Sequence, residues 1–171
     1  PDAHFQLVKD IEFSEDDFSE GGGFCNAGQG WEPIGTVTDP FSGVFDGRGY
    51  TITGLAIHIS SGETVYAGLF GYSTGTLQNL NLARAAISVN VTASVNDGNI
   101  PAYAGGIAGH AGYRGISNCC VTNCHIFVDS IWSYAGGVAG NNSAPMENCH
   151  VNGGTVRAQG KRAYAGGLVG E

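Results

Sequence analysis

Four near-copies of one short box punctuate the chain: Tyr66-Ala67-Gly68-Leu69-Phe70-Gly71, Tyr103-Ala104-Gly105-Gly106-Ile107-Ala108-Gly109, Tyr134-Ala135-Gly136-Gly137-Val138-Ala139-Gly140 and Tyr164-Ala165-Gly166-Gly167-Leu168-Val169-Gly170. Their tyrosines follow one another at steps of 37, 31 and 30 residues. Self-similarity at such a period predicts a solenoid, because a unit of that size cannot bury its apolar face alone and must stack on its neighbours. Solenoids present long surfaces of repeated side chains, which favours surface binding or scaffolding over chemistry in a pocket.

The repeat extends beyond the box. Each of the first three boxes is followed by an apolar residue, a spacer and asparagine: Leu77-Gln78-Asn79, Ile116-Ser117-Asn118 and Met146-Glu147-Asn148. Registered on those asparagines, Leu80, Cys119 and Cys149 align, and so do Leu82, Val121 and Val151. Farther on, Ile87 aligns with Ile126 and Val156, and Val89 with Val128 and Ala158. Apolar positions recur at spacing two, which is the strand period. The preceding segment fits the same frame with Gly54 in place of asparagine, which sets Ile52 against Leu77, Leu55 against Leu80 and Ile57 against Leu82. Phe5, Leu7, Val8 and Ile11 are expected to add a strand to the first coil.

The predicted fold class is all-β, a right-handed parallel β-helix (β-solenoid) with coils of about 30 residues. Residues 1–171 read as one domain, with 1–50 as an entry or capping segment and 51–171 as repeat coils. Box glycines mark the corners. Gly105, Gly106, Gly136, Gly137, Gly166 and Gly167 are expected where φ is positive or where a side chain would strike the neighbouring coil. The tyrosines are expected to form a ladder of their own, and no segment carries a helical stripe.

Twenty-nine glycines in 171 residues exceed ordinary usage, yet 42% apolar residues exclude a disordered glycine-rich linker. Seven basic against fifteen acidic residues give a net charge of −8, which speaks against nucleic acid as a partner. No apolar run is long enough to span a bilayer as a helix. The chain opens on proline without an initiating methionine, as a processed form or a piece of a longer chain would.

These residues resemble the GLUG-motif repeats of bacterial cell-surface, adhesin-like proteins. The motif appears as Gly68-Leu69-Phe70-Gly71 and Gly167-Leu168-Val169-Gly170, with Ile107 and Val138 in place of leucine in the middle copies. The run from Phe45 through Asp46, Gly47 and Gly54 to Leu55 is the most specific part of the likeness, with Trp31, Pro33, Ile34 and Gly35 upstream. The resemblance implies an extracellular or cell-surface β-solenoid. Similar repeats accompany immunoglobulin A peptidases, whose separate zinc-protease domain has no counterpart here, since the chain contains no His-Glu-x-x-His.

Candidate chemistry is sparse. Cys119 and Cys149 share an inward position, where they read either as buried free thiols or as a disulfide between adjacent coils. Cys25 stands apart, and Cys120 with Cys124 is a second candidate pair. Cys120 and His150 share an outward position and are weak metal candidates, although neither they nor Cys124-His125 matches a standard zinc spacing. Asp10, Glu12, Glu15, Asp16, Asp17 and Glu20 could attract calcium, but no loop of alternating Asp and Asn closes on a Glu. No cofactor is expected otherwise. Asp46, before Gly47, reads as a turn residue bonding its own backbone.

The function expected is structural and adhesive: a module of a surface protein that binds a partner along one face and is not an enzyme. The chain stops one residue after the fourth box, where every other box leads into a strand. Its expected partners are therefore further repeats of a parent chain or head-to-tail copies forming a fibre, and beyond those a surface glycan or host protein. The alternative is a carbohydrate-binding or polysaccharide-processing β-helix, whose chemistry needs paired carboxylates in one groove. Within the repeats Asp97, Asp129, Glu147 and Glu171 recur at no common register.

Overall fold

Period-two patterning becomes short strands that pair across the repeat and not within it. The computed structural model describes residues 3–92 and 100–171. It is all-β apart from a one-turn helix, Glu15–Phe18, and a 3-10 turn, Asn26–Gly28. Every pair of strands is parallel, and each partner comes from the neighbouring copy.

Four sheets result. One takes His4–Gln6, Val44–Asp46, Thr76–Gln78, Gly115–Ser117 and Met146–Glu147 in that order. A second, larger sheet holds Ile11–Glu12, Thr51–Thr53, Asn81–Ala83, Ala56–Ser61, Ala86–Val91, Cys120–Asp129 and His150–Gln159. The tyrosine boxes supply the other two. Val65–Ala67, Pro101–Gly105, Trp132–Gly136 and Arg162–Gly166 pair side by side, and so do Phe70–Ser73, Ala108–Ala111 and Ala139–Asn142.

The sheets share one apolar core whose ladders are those of the repeat. Leu77, Leu80, Leu82, Ile87, Ile116 and Ile126 are fully buried. Each such side chain contributes roughly 1.5–3 kcal/mol over an exposed one. The expected columns Leu80/Cys119/Cys149, Leu82/Val121/Val151 and Ile87/Ile126/Val156 stand in register. The entry segment contributes to the same sheets, with His4–Gln6 on Val44–Asp46 and Ile11–Glu12 on Thr51–Thr53.

The first copy enters the frame differently from its expectation. Phe45, with Phe5 before it, and not Ile52, stands in the Leu77/Ile116/Met146 column. Ile52 stands with Leu82, Ile57 with Ile87, and Leu55, next to Ala56, is level with Ala85 rather than Leu80. Each of these copies turns twice through left-handed backbone, five residues apart: Asn79 and Arg84, Asn118 and Asn123, Asn148 and Gly153. Gly54 (φ 78°) belongs to the second of these turns, since its N–H donates to the Ala83 carbonyl.

Residues 13–42 cover the first coil. Phe13, Phe18, Phe24 and Trp31 pack together with ring centroids 5.2–6.3 Å apart. The Trp31 indole N–H donates to the Leu69 carbonyl at 3.1 Å. Ile34 and Phe41 bridge in parallel to Phe70 and Ser73, so this segment extends the Phe70 sheet by one level.

Candidate functional site

Strand alternation decides what the outer surface carries. In Pro101–Gly105, Ala102 and Ala104 point into the core and are fully buried, which turns Tyr103 outward. Val65 and Ala67, then Ser133 and Ala135, are buried in the same way, whereas Ala163 and Ala165 of the fourth box are exposed; the four tyrosines come into register. Their rings form one stack, with centroids 5.0, 4.8 and 5.1 Å apart and planes within 9°. Neighbouring parallel strands are about 4.8 Å apart, so identical aromatic residues in register must stack face to face. Beside the stack runs a second row, Tyr72, His110 and Asn141, with the Asn141 amide donating to Glu171 at 3.2 Å. The Tyr72 and His110 rings stack at 4.2 Å.

Burial governs the protons of these rings. It pushes the Tyr103 phenol up to about 12, with the neighbouring phenols and Glu171 adding to the effect. Tyr66 and Tyr134 shift the same way. Burial also pushes His110 below the ordinary imidazole range, against the pull of its hydrogen bond with Asn141.

The box glycines let two sheets approach. A Cβ on Gly109 would lie 2.6 Å from the Ala67 nitrogen, and one on Gly140 2.5 Å from the Ala104 nitrogen. Gly71 and Gly170 face the Gly35 and Gly140 carbonyls in the same manner, and Gly68 faces the Gly105 carbonyl. Gly105, Gly136 and Gly166 abut carbonyl oxygens of Ala108, Ala139 and Val169. Gly106 and Gly137 face the neighbouring copy's carbonyl and valine, whereas Gly167 faces open space. Close approach is what these positions share, Gly167 apart. None takes a positive φ, which falls instead on the asparagine turns.

At the first of those turns the side chains form a directed chain. Asn148 Nδ2 donates to Asn118 Oδ1 (3.2 Å), Asn118 Nδ2 to Asn79 Oδ1 (3.1 Å), and Asn79 Nδ2 to Asp46 Oδ1 (2.9 Å). Asp46 also accepts the Arg48 backbone N–H at 2.8 Å and the Gln78 amide at 3.2 Å. The Asn79 bond first, then the Arg48 N–H, holds its carboxyl below the usual carboxylate range. A depressed carboxyl contributes stability above its ordinary pKa of about 4 and loses it as pH falls through the lower folded value. Asp46→Ala is therefore expected to lose about 1 kcal/mol at neutral pH, the net worth of a solvent-screened hydrogen bond. The difference from the parent protein should vanish in strong acid, as thermal melts across pH would record.

All five cysteines are free thiols. Cys119 and Cys149 are inward neighbours, one buried and the other half-buried. The Cys149 thiol and burial hold Cys119 well above the ordinary thiol range, while the bond from Cys119 draws Cys149 down. Buried Cys124 accepts the Ala85 N–H at 3.3 Å, away from Cys120. Cys120 and His150 are register partners on the outer face, with the Cys120 sulfur 3.5 Å from the Thr122 hydroxyl. Among the described residues no three His, Cys, Asp or Glu side chains converge as a metal centre would need. The N-terminal acids serve separate partners. Asp10 accepts the Thr51 N–H, Glu12 pairs with Arg84 at 3.0 Å, and Asp17 accepts both the N–H and the hydroxyl of Ser14.

The sequence did not single out the matched outer pairs beside these columns. The Arg162 guanidinium lies 4.4 Å from the Trp132 ring centre and Arg157 lies 5.9 Å from that of Phe127, each pair in register. A cation over a ring is visible in sequence only once the 30-residue offset is applied.

Comparison with known proteins follows the same lines. No protein-family model matches the chain. A protein of Evansella cellulosilytica, named as a Gly-rich membrane protein, is 37% identical over 120 residues. That match takes in 69% of this chain and 12% of the relative. Halomucin of Haloquadratum walsbyi is 37% identical over 106 residues, 58% of this chain and 1% of that protein. The chain thus spans a small part of the curated relatives it matches. A solved Bacteroides ovatus structure, named as an immunoglobulin A1 protease, superposes with a TM-score of 0.55 at 20% identity. It covers 91% of this chain and 52% of its own, a likeness of fold alone. The chain is thus an all-β protein of parallel sheets, similar to one protein named as a Gly-rich membrane protein and to another named halomucin. Among the described residues no helix is long and apolar enough to cross a membrane.

Proposed function

We propose that the stacked copies form a right-handed parallel β-helix of GLUG-type repeats. Its role is that of a structural and adhesive module of an extracellular or cell-surface protein, with no reaction of its own. The observation that carries this reading is the tyrosine stack. Four residues a full repeat apart stack into one column on the outward side of their strands, half-buried at Tyr66 and Tyr103, buried at Tyr134 and exposed at Tyr164, which is how a solenoid builds a continuous flank instead of a pocket. The relatives named as a Gly-rich membrane protein and as halomucin support the setting. The net charge of −8 argues against nucleic acid as the partner. Its partners in this reading are further repeats of a parent chain or copies joined head to tail into a fibre, and a surface glycan or host protein along the flank.

The test is labelling of intact producing cells with a membrane-impermeant amine reagent. The chain, with lysines at Lys9 and Lys161, is expected to label before lysis as strongly as a known surface protein. Labelling only after lysis would overturn the surface assignment.

A further inference from the structure

The tyrosine stack has an end, and that end faces a cleft. Tyr66 carries the terminal ring: Tyr103 covers one face at 5.0 Å, and Tyr72 meets it only edge-on, at 80°. Its strand, Val65–Ala67, is the edge of its sheet. The covering segment extends the neighbouring sheet through Ile34 and Phe41 but lays no strand beside Tyr66. A cleft of about 720 Å³ lies there instead, between residues 26–38 and the Ile59–Tyr66 stretch.

The lining has a definite chemistry. Tyr66 supplies an aromatic surface, with Ile59 and Val37 as further apolar contacts. Thr36, Thr38 and Thr64 bring hydroxyls, Gln29 an amide and Glu32 a carboxylate. Among the described residues Glu32 forms no ion pair, and no Lys, Arg or His lines the cleft. Among the described residues Glu32 is also the lone carboxylate lining it, where glycoside cleavage calls for two.

We propose that this cleft binds a neutral sugar, with the C–H face of a pyranose ring against the outer face of Tyr66. The electron-rich face of an aromatic ring attracts weakly positive C–H groups just as it attracts cations, though less strongly. The ring hydroxyls then meet the threonines, Gln29 and Glu32, whose ionised carboxylate accepts hydroxyl protons in stronger, charge-assisted bonds. The volume lies within the range of small-molecule sites. The same carboxylate, with no cation to offset it, disfavours uronic and sialic acids by like-charge repulsion. The site binds and does not cleave. This inference rests on the surface-module reading, which places extracellular glycans within reach.

The test is calorimetric titration of the 171-residue protein with cellobiose, lactose and diacetylchitobiose, and with digalacturonate as the acidic counterpart. At least one neutral disaccharide is expected to saturate, and digalacturonate is not. Tyr66→Ala should weaken binding about tenfold or more and Tyr66→Phe only slightly, because phenylalanine keeps the ring face. Glu32→Gln should also cost about tenfold, the scale of one charge-assisted hydrogen bond. Should Tyr66→Ala fail to fold, Glu32→Gln and Thr64→Val carry the test, since neither residue lies in the core. Silence from all three neutral sugars, or affinity unchanged by Glu32→Gln and Tyr66→Ala, overturns the site. Labelled intact cells with a silent titration would remove the site and leave the surface reading. Saturable binding with labelling only after lysis would do the reverse.

Discussion

Gly137→Val is expected to destabilise the protein by about 4 kcal/mol or more, at the upper end of what single substitutions do. A Cβ there would fall on the Gly167 carbonyl oxygen and 2.7 Å from Cγ2 of Val151. The obstructing segment cannot easily yield, because the Leu168 carbonyl beside it accepts the Val138 and Ala139 N–H groups at 2.8 and 3.1 Å. Gly167 holds the same place in its own box but has nothing within 4 Å of its Cβ position. Gly167→Val is therefore expected within roughly 0.5 kcal/mol of the parent, as for an unencumbered surface site. Urea denaturation of the two variants separates space from backbone freedom. Equal losses would mean that the box needs glycine for its dihedral angles, contrary to the close-approach account.

Tyr134→Ala ranks next, with an expected loss of roughly 3–5 kcal/mol, as for other large buried rings cut to alanine. Tyr134 is 4% exposed, and its ring lies between those of Tyr103 at 4.8 Å and Tyr164 at 5.1 Å. Removal deletes two stacked contacts at once and leaves a gap the flanking rings cannot close without leaving register. Tyr164 is 47% exposed and has one stacked neighbour, so Tyr164→Ala should cost about 1 kcal/mol. Thermal or urea unfolding of both would check the ratio. A Tyr134→Ala variant no weaker than Tyr164→Ala would reduce the stack to surface decoration.

Much of the architecture was legible because repetition supplies its own alignment. The tyrosine boxes and the asparagines at 79, 118 and 148 mark the offset from each copy to the next, and those offsets fix the strand partners in the middle copies. The first copy misled for a physical reason. Each coil carries two turns flanked by the same apolar spacing: Leu77, Asn79, Leu80 and Leu82 around one, then Leu82, Arg84, Ala85 and Ile87 around the other. A glycine can serve at either turn, so Gly54 matched the wrong one. Arg48 and Gly49, both with positive φ, lengthen the corner before it and hide the offset further. The cleft at Tyr66 was illegible in sequence. Its far wall is residues 26–38, which belong to no repeat, and only folding brings Glu32 near Tyr66. The tyrosine ladder itself was expected, but its open end depends on which neighbouring sheet the covering segment extends.

The direction of the backbone hydrogen bonds has a mechanical side. In all four sheets they join one repeat to the next and so run along the stack. Tension applied along that line would meet these bonds end-on and open the structure one copy at a time, beginning at the most weakly held face. Force applied across the stack would instead shear whole ladders together, tyrosines and asparagines included. Such a body gives way by small, recoverable steps in one direction and stands stiff in the other, as befits a repeat whose units contact only their neighbours.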